Sequence, residues 1–185
     1  MGEGKRVVEA KVREIGREVA YLPPGEGSRS LWVFGELVMY KIKGEQTGGA
    51  YSLFEVVTQP EGGPPPHVQH REDESLYVLE GEYEFAVEGR TLRVGTGSLL
   101  YIPRGNLHAH RNVGEGLGRM LVSQTPGGLH ERYFEEIGEE RRDRFAPPVS
   151  ENPPDTEKLA RIAAEYGIEI PLSGRSHDRR AGITG

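Results

Sequence analysis

Short β-rich segments separated by glycine and proline fill the middle of this chain, between Ser30 and Ser123. The segments lie at residues 31–43, 50–59, 67–70, 75–80, 82–88, 90–94, 98–103, 107–113 and 117–124. Gly81 and Gly89 fall at tight hairpin connections, where glycine supplies the positive φ that such turns use. Short strands at this spacing predict an all-β sandwich or barrel.

Several of these strands are apolar on both faces, including residues 76–79 and 99–102. A strand with one solvent-facing side alternates apolar and polar residues, whereas a strand covered on both sides need not. We therefore expect a second sheet, the terminal extensions or another subunit to cover the outer face. Antiparallel barrels of this kind often dimerise, so a homodimer is expected from the architecture.

The segments on either side of the barrel differ from it in pattern. Residues 1–29 form an N-terminal extension in which apolar residues at helical spacing predict a short helix, namely Val8, Val12, Ile15 and Val19. The barrel is assigned to residues 30–125. Residues 126–170 are assigned to a C-terminal extension that packs on the barrel, with helices over 129–137 and 156–166. The polar tail at 171–185 is predicted to be disordered.

Composition excludes several classes of function. The 185 residues suffice for one domain with modest extensions, and no apolar stretch approaches the ~20 residues of a membrane span. No secretory leader is evident. The absence of cysteine fits a cytoplasmic protein. A net charge of −6 argues against a nucleic-acid surface, which needs clustered Lys and Arg. We therefore expect a small-molecule partner, with neither nucleic acid nor membrane.

Two runs carry residues that bind metals. The first, over 64–81, contains His67, Gln69 and Glu74, and the second, over 97–112, delivers His108 after a Pro/Gly turn. Imidazole and carboxylate from neighbouring strands make the donor set of a mononuclear transition-metal site with positions open to substrate. Such a set suits one divalent ion per chain, and Fe, Mn, Ni, Co and Zn all remain open.

Strand parity assigns these side chains to faces. His67 and Gln69 share one face of their strand and His70 lies on the other. His110 shares the face of His108, so it is either a pocket acid/base or a residue that only fills the wall. The predicted ligands are His67, Gln69, Glu74 and His108, of which Glu74 is assigned by a family resemblance, because parity cannot be carried across the turn at 71–73.

The same two runs resemble the motifs of the cupin superfamily. The second run matches every fixed position of the second motif: Gly97, Pro103, Gly105, His108 and Asn112. The first run matches His67, Glu74 and Gly81, but Gln69 replaces a histidine and Glu61 replaces the opening glycine. The stretches 21–25, 31–35 and 48–54 resemble small single-domain cupins related to bacterial quercetin 2,3-dioxygenase, and the likeness covers most of residues 20–170.

The resemblance implies a fold and an activity. The fold is an all-β cupin double-stranded β-helix, a jelly-roll barrel, with short C-terminal helices. The activity is that of a metal-dependent dioxygenase that cleaves a flavonol or similar enolisable aromatic substrate with O2. By position, His67 and His108 would be ligands, and Glu74 would be both ligand and the catalytic base that takes the proton of the substrate hydroxyl.

Gln69 leaves three interpretations open. The site works with a weaker or absent fourth ligand, or His70 replaces the missing imidazole through a local bulge, or the cupin is degenerate and binds little metal. Two other functions therefore stay open beside the dioxygenase. They are a metal-dependent isomerase, lyase or decarboxylase with the same ligands, and a non-catalytic cupin that binds a small molecule.

Overall fold

The computed structural model describes residues 19–140 and 155–171. The described strands are β1 (Ser30–Val33), β2 (Glu36–Ile42), β3 (Ser52–Thr58), β4 (His67–Gln69), β5 (Asp73–Glu80), β6 (Glu82–Val87), β7 (Arg90–Gly95), β8 (Leu99–Ile102), β9 (Leu107–Asn112), β10 (Gly118–Thr125), β11 (Glu139–Glu140) and β12 (Ile168–Glu169). The described helices are α1 (Leu129–Ile137) and α2 (Thr156–Glu165), with a short 3-10 turn at Gly44–Thr47. No helix in these ranges is long and apolar enough to cross a membrane.

The strands form two antiparallel sheets that pack face to face. One has the order β11-β1-β2-β3-β10-β5-β8 and the other the order β12-β4-β9-β6-β7. Large apolar side chains from both sheets fill the space between them, including Phe54, Leu76, Phe85 and Met120, all essentially buried. The structure is an all-β jelly roll with short C-terminal helices, which confirms the predicted fold class.

The C-terminal segment contributes strands as well as helices. β11 pairs with β1 at one edge of the first sheet, and β12 pairs with β4 at one edge of the second. Helix α1 packs on the core through Phe134 and Ile137. Asp155 caps α2 by accepting a hydrogen bond from the backbone of Lys158 at 3.0 Å. The helix proposed near residues 8–19 and the tail at 171–185 lie largely or wholly outside the described residues.

One sequence expectation differs from the structure. The single segment expected at 31–43 is a hairpin, because Phe34 and Gly35 both adopt positive φ, at 51° and 78°.

The residues that the structure describes leave part of the outer face of β5 and β8 open, since Tyr77, Leu99 and Tyr101 are 42%, 65% and 59% exposed among them. The homodimer that could cover this face stays a prediction.

Gly118 tests the packing where β10 begins. A Cβ added there would lie 2.3 Å from the hydroxyl oxygen of Tyr83, which is fully buried and donates a hydrogen bond to Thr58. Because that ring has no room to move, we expect Gly118→Ala to lower the free energy of unfolding by about 1–3 kcal/mol. Gly116→Ala is the matched control, because its Cβ would meet open space. Chemical denaturation compares the two, and equal stabilities would contradict this account of the packing.

Candidate functional site

A cavity of about 60 Å³ lies between the sheets beside helix α1. Its walls are mostly apolar, with Val38, Phe54, Leu76, Val122 and Phe134 among them. The polar side chains that reach it are Glu36, His67, Glu74, His110, Gln124, His130 and Tyr133. An apolar cavity with a few convergent polar groups is the usual form of a small-molecule site.

His67 and His108 are a cross-strand pair. They lie directly opposite each other on β4 and β9, and their ring centroids are 4.3 Å apart. Each ring has its Nδ1 near a backbone carbonyl two residues earlier, at 3.0 Å from Pro65 and 2.9 Å from Asn106. Carbonyl oxygens only accept, so Nδ1 carries the proton in both rings. This anchoring at Nδ1 is common in metal-binding histidines, because it leaves Nε2 for the ion.

Glu74 reaches the same place from the other sheet. Its Oε2 lies 3.1 Å from His108 Nε2, and its Oε1 accepts a hydrogen bond of 2.6 Å from the Gln124 amide. His108 therefore faces an acceptor at each ring nitrogen and donates from both. The contact between His108 and Glu74 is an imidazolium–carboxylate pair.

Burial and the neighbouring charges separate the pKa values of the three groups. Burial and the nearby His108 lower the pKa of His67 to about 3. Burial also opposes charge on His108, but Glu74 outweighs it and raises the pKa of His108. Burial alone would raise the pKa of Glu74, yet the hydrogen bond and charge of His108 hold it well below its usual range. A neutral imidazole thus lies next to a charged pair.

Gln69 is buried without a hydrogen-bond partner. It is 2% exposed, and neither its amide oxygen nor its amide nitrogen has a partner among the described residues. A buried amide that lacks partners costs about 1–3 kcal/mol. It follows His67 by two residues on β4, as parity predicts, but it does not line the cavity.

The two further histidines of the motifs have different environments. His70 does not reach the cavity: its ring is 44% exposed and its Nε2 lies 3.0 Å from Glu169, so the structure gives no support to His70 as a replacement ligand. His110 does line the cavity, with its Nε2 2.9 Å from Glu36. Thr58 donates to the same Glu36 oxygen at 2.7 Å. His110 therefore belongs to a buried polar network in the cavity wall.

Sequence reasoning missed several polar groups of the cavity. Glu36 lies in the otherwise apolar first half of β2, and that break in pattern was a usable signal. Gln124 near the end of β10 and His130 on α1 lie outside the motifs. Their partners, Glu74 and Glu72, are 50 and 58 residues away, so no local pattern could reveal the pairs.

The donor types at the site suit a divalent transition metal. Within residues 19–140 and 155–171, no three His, Asp or Glu side chains are grouped closely enough to hold an ion in their present arrangement. The two oxygens of Glu74 contact His108 and Gln124. His67 and His108 through Nε2 and Glu74 through its carboxylate would hold such an ion, and its binding would require deprotonated His108.

Comparison with known proteins supports the predicted superfamily. Residues 54–123 match the family model described as Cupin domain. The chain is also 37% identical over 84 aligned residues to germin-like protein subfamily 2 member 2 of Arabidopsis thaliana. That match covers 41% of this chain and 38% of the relative, so the chain spans well under half the length of the curated protein. The family match is confined to residues 54–123, and the resemblance to quercetin dioxygenase stays a prediction.

Three solved structures align with part of this chain. KdgF from Halomonas sp. aligns with a TM-score of 0.47 and 19% identity, over 51% of this chain and 81% of its own. The Schizosaccharomyces pombe Cnp3 cupin domain aligns with a TM-score of 0.48 and 20% identity, over 60% and 78%. A recombinant oxalate oxidase in complex with glycolate gives 0.45 and 29%, over 51% and 54%. Likeness at this level does not indicate a shared reaction.

The separated pKa values predict different titrations for the two paired histidines. In chelator-treated protein we expect His67 to stay neutral from pH 8 down to about pH 4, since its pKa is about 3, and we expect His108 to lose its proton at a higher pH than an ordinary imidazole, since Glu74 raises its pKa. Unfolded His67 binds its proton near pH 6.5. Its contribution to stability therefore falls as the pH drops from 6.5 towards 3. Long-range ¹H–¹⁵N spectra of the imidazoles follow both rings, and titration of His67 near pH 6.5 would contradict the account.

Proposed function

We propose that this chain is a metal-dependent cupin enzyme in which His67, Glu74 and His108 hold one divalent transition metal. One observation carries the proposal: two imidazoles anchored through Nδ1 lie 4.3 Å apart, next to a buried carboxylate. Gln69 would be a weak or absent fourth ligand, which leaves a further position for substrate. A metal bound there acts as a Lewis acid and lowers the pKa of a coordinated hydroxyl group.

The residues around the site would perform three tasks. Glu74, released from His108, would take the proton of a substrate hydroxyl, and the Gln124 amide would hold its other oxygen in place. The backbone carbonyls of Pro65 and Asn106 fix the orientation of the two rings. The apolar walls exclude water, which strengthens the electrostatic interactions inside the cavity.

The proposed reaction is oxidation of an enolisable substrate by O2, as in quercetinase-like dioxygenases. The cavity of about 60 Å³ favours a small substrate, since pockets for drug-sized ligands measure roughly 300 Å³ or more. A flavonol would enter only if the cavity widened. Oxygen consumption on a flavonol and on a small 1,3-diketone separates this reaction from a cupin isomerase, lyase or decarboxylase, which would use no O2.

A non-catalytic cupin that binds a small molecule is the second candidate. The cavity favours it, because apolar walls with a few convergent polar groups can bind a small molecule without a metal. Gln69 favours it as well, since an amide is a weaker ligand than the imidazole of the motif. The metal content of the purified protein decides between the two candidates.

The metal proposal predicts a pattern among histidine variants. Protein purified without added metal should contain about one transition-metal ion per chain, whereas His67→Gln and His108→Gln should lose most of it. His70→Gln is the matched control, because His70 directly follows β4 but is exposed and paired with Glu169. Elemental analysis by mass spectrometry measures all four proteins. Equal metal content in all four proteins would contradict the proposal. A wild-type protein without metal, whose content does not rise when metal is added, would also contradict it and would favour the non-catalytic cupin.

Gln69→His tests the fourth ligand. An imidazole is a better donor than a neutral amide, and the side chain at this position follows the parity of His67. We expect the substitution to slow metal loss to a chelator roughly tenfold or more. Unchanged retention would show that residue 69 does not contact the ion.

A further inference from the structure

His130 and Glu72 form a buried pair that belongs to neither motif. The ring Nδ1 of His130 lies 2.8 Å from Glu72 Oε2, and the backbone N–H of His130 donates to Glu72 Oε1 at 3.2 Å. The two residues are 4% and 2% exposed. His130, in the first turn of α1, lines the cavity, whereas Glu72 does not. The carboxylate thus holds the ring from outside the cavity.

This contact determines which nitrogen of His130 carries the proton. Glu72 already accepts the backbone N–H of His130, and with the same carboxyl group as acceptor for the ring, Nδ1 of His130 is the protonated nitrogen. In the neutral ring the lone pair is then on Nε2. Because Glu72 engages Nδ1, Nε2 is the ring nitrogen left for a ligand in the cavity that His130 lines.

Tyr133 brings a hydroxyl donor to the same wall. It follows His130 by three residues on α1, with the ring centroids 5.8 Å apart, and it also lines the cavity. The side chain is 2% exposed, yet its hydroxyl has no hydrogen-bond partner among the described residues. Burial raises the pKa of Tyr133, so the hydroxyl remains a donor at neutral pH. A buried polar group of this kind normally has a partner.

We propose that His130 and Tyr133 form a second polar subsite of the cavity, which binds a hydroxyl group of the small-molecule ligand. A hydroxyl group both donates and accepts: it would donate to His130 Nε2 and accept from Tyr133 Oη. Glu72 is a positioning residue that fixes the His130 tautomer. The subsite rests on the proposed function only in taking the cavity as the ligand site, and it requires no metal.

The chemistry of the cavity supports this assignment over a purely structural role. The surroundings of His130 are aromatic: its ring centroid lies 4.9 Å from that of Phe134 and 5.8 Å from that of Tyr133. An apolar side chain would pack at this position equally well, and it would not require a buried carboxylate as a partner. A buried hydroxyl without a hydrogen-bond partner lowers the free energy of unfolding unless a ligand supplies that partner. A buried donor and a buried acceptor on adjacent turns of one helix match the two requirements of a hydroxyl.

A matched pair of small probes tests the subsite in chelator-treated protein. Hydroxyacetone and 2-butanone have the same number of heavy atoms and differ by a hydroxyl in place of a methyl group. If apolar contacts with the cavity walls were the only interaction, the more apolar 2-butanone would bind at least as tightly as hydroxyacetone. We expect hydroxyacetone to bind roughly three- to tenfold more tightly, the gain from one or two hydrogen bonds. NMR titration gives both affinities, and only hydroxyacetone should shift the Nε2 resonance of His130.

Two tyrosine variants separate ligand binding from stability. Tyr133→Phe should remove most of the preference for hydroxyacetone and leave the melting temperature unchanged or higher, because the lost hydroxyl has no partner. Tyr40→Phe is the control: its buried hydroxyl donates to the Glu131 backbone at 2.9 Å and does not line the cavity. That variant should be less stable and keep the preference.

Several results would overturn the subsite. They are equal affinities of the two probes, no measurable binding of hydroxyacetone, an Nε2–H tautomer of His130, or a preference that Tyr133→Phe leaves intact. Protein that retains metal and consumes O2 but shows any of these would refute the subsite and keep the proposed function. Protein that retains no metal but prefers hydroxyacetone through Tyr133 would refute the proposed function and keep the subsite.

Discussion

The cross-strand contact between His67 and His108 is the constraint on which the rest of the site depends. β4 has only three residues, and its pairing with β9 places the two histidines directly opposite each other. Both rings are fixed by carbonyls of their own connecting segments, so their orientation follows from the backbone. Glu74 comes from the other sheet, and the site therefore forms only when the two sheets pack. Folding and chemistry are coupled at this point.

The polar groups of the cavity fall into three sets. His67, Glu74 and Gln124 lie in one, Glu36 and His110 in another, and His130 with Tyr133 in a third on helix α1. The sets are not isolated from one another, since His130 acts electrostatically on His67 and Glu74. A ligand that contacts more than one set must carry more than one polar atom.

Much of the fold follows from local sequence, because glycine and proline mark the turns and the strands lie between them. The parity that separates His67 from His70 is equally local, and the structure agrees with it. Glu61 has φ of 61° at the position where the motif has glycine, so the backbone there adopts the left-handed conformation that glycine favours. Phe34 adopts φ of 51° in the hairpin between β1 and β2, and no sequence pattern predicted a positive φ at a phenylalanine. The pairs Glu74–Gln124 and Glu72–His130 join residues 50 and 58 positions apart, and only the packing of the sheets and α1 brings them together.

The central claim is that two imidazoles and one carboxylate, from strands of both sheets, bind a single ion. Anomalous diffraction from crystals grown with Mn²⁺, recorded at the metal's absorption edge, tests this claim most directly. The account predicts one anomalous peak between the side chains of His67, Glu74 and His108, with the contact between Glu74 and His108 opened around it. A structure without a peak at that point, in which His108 and Glu74 remain paired at saturating metal, would contradict it.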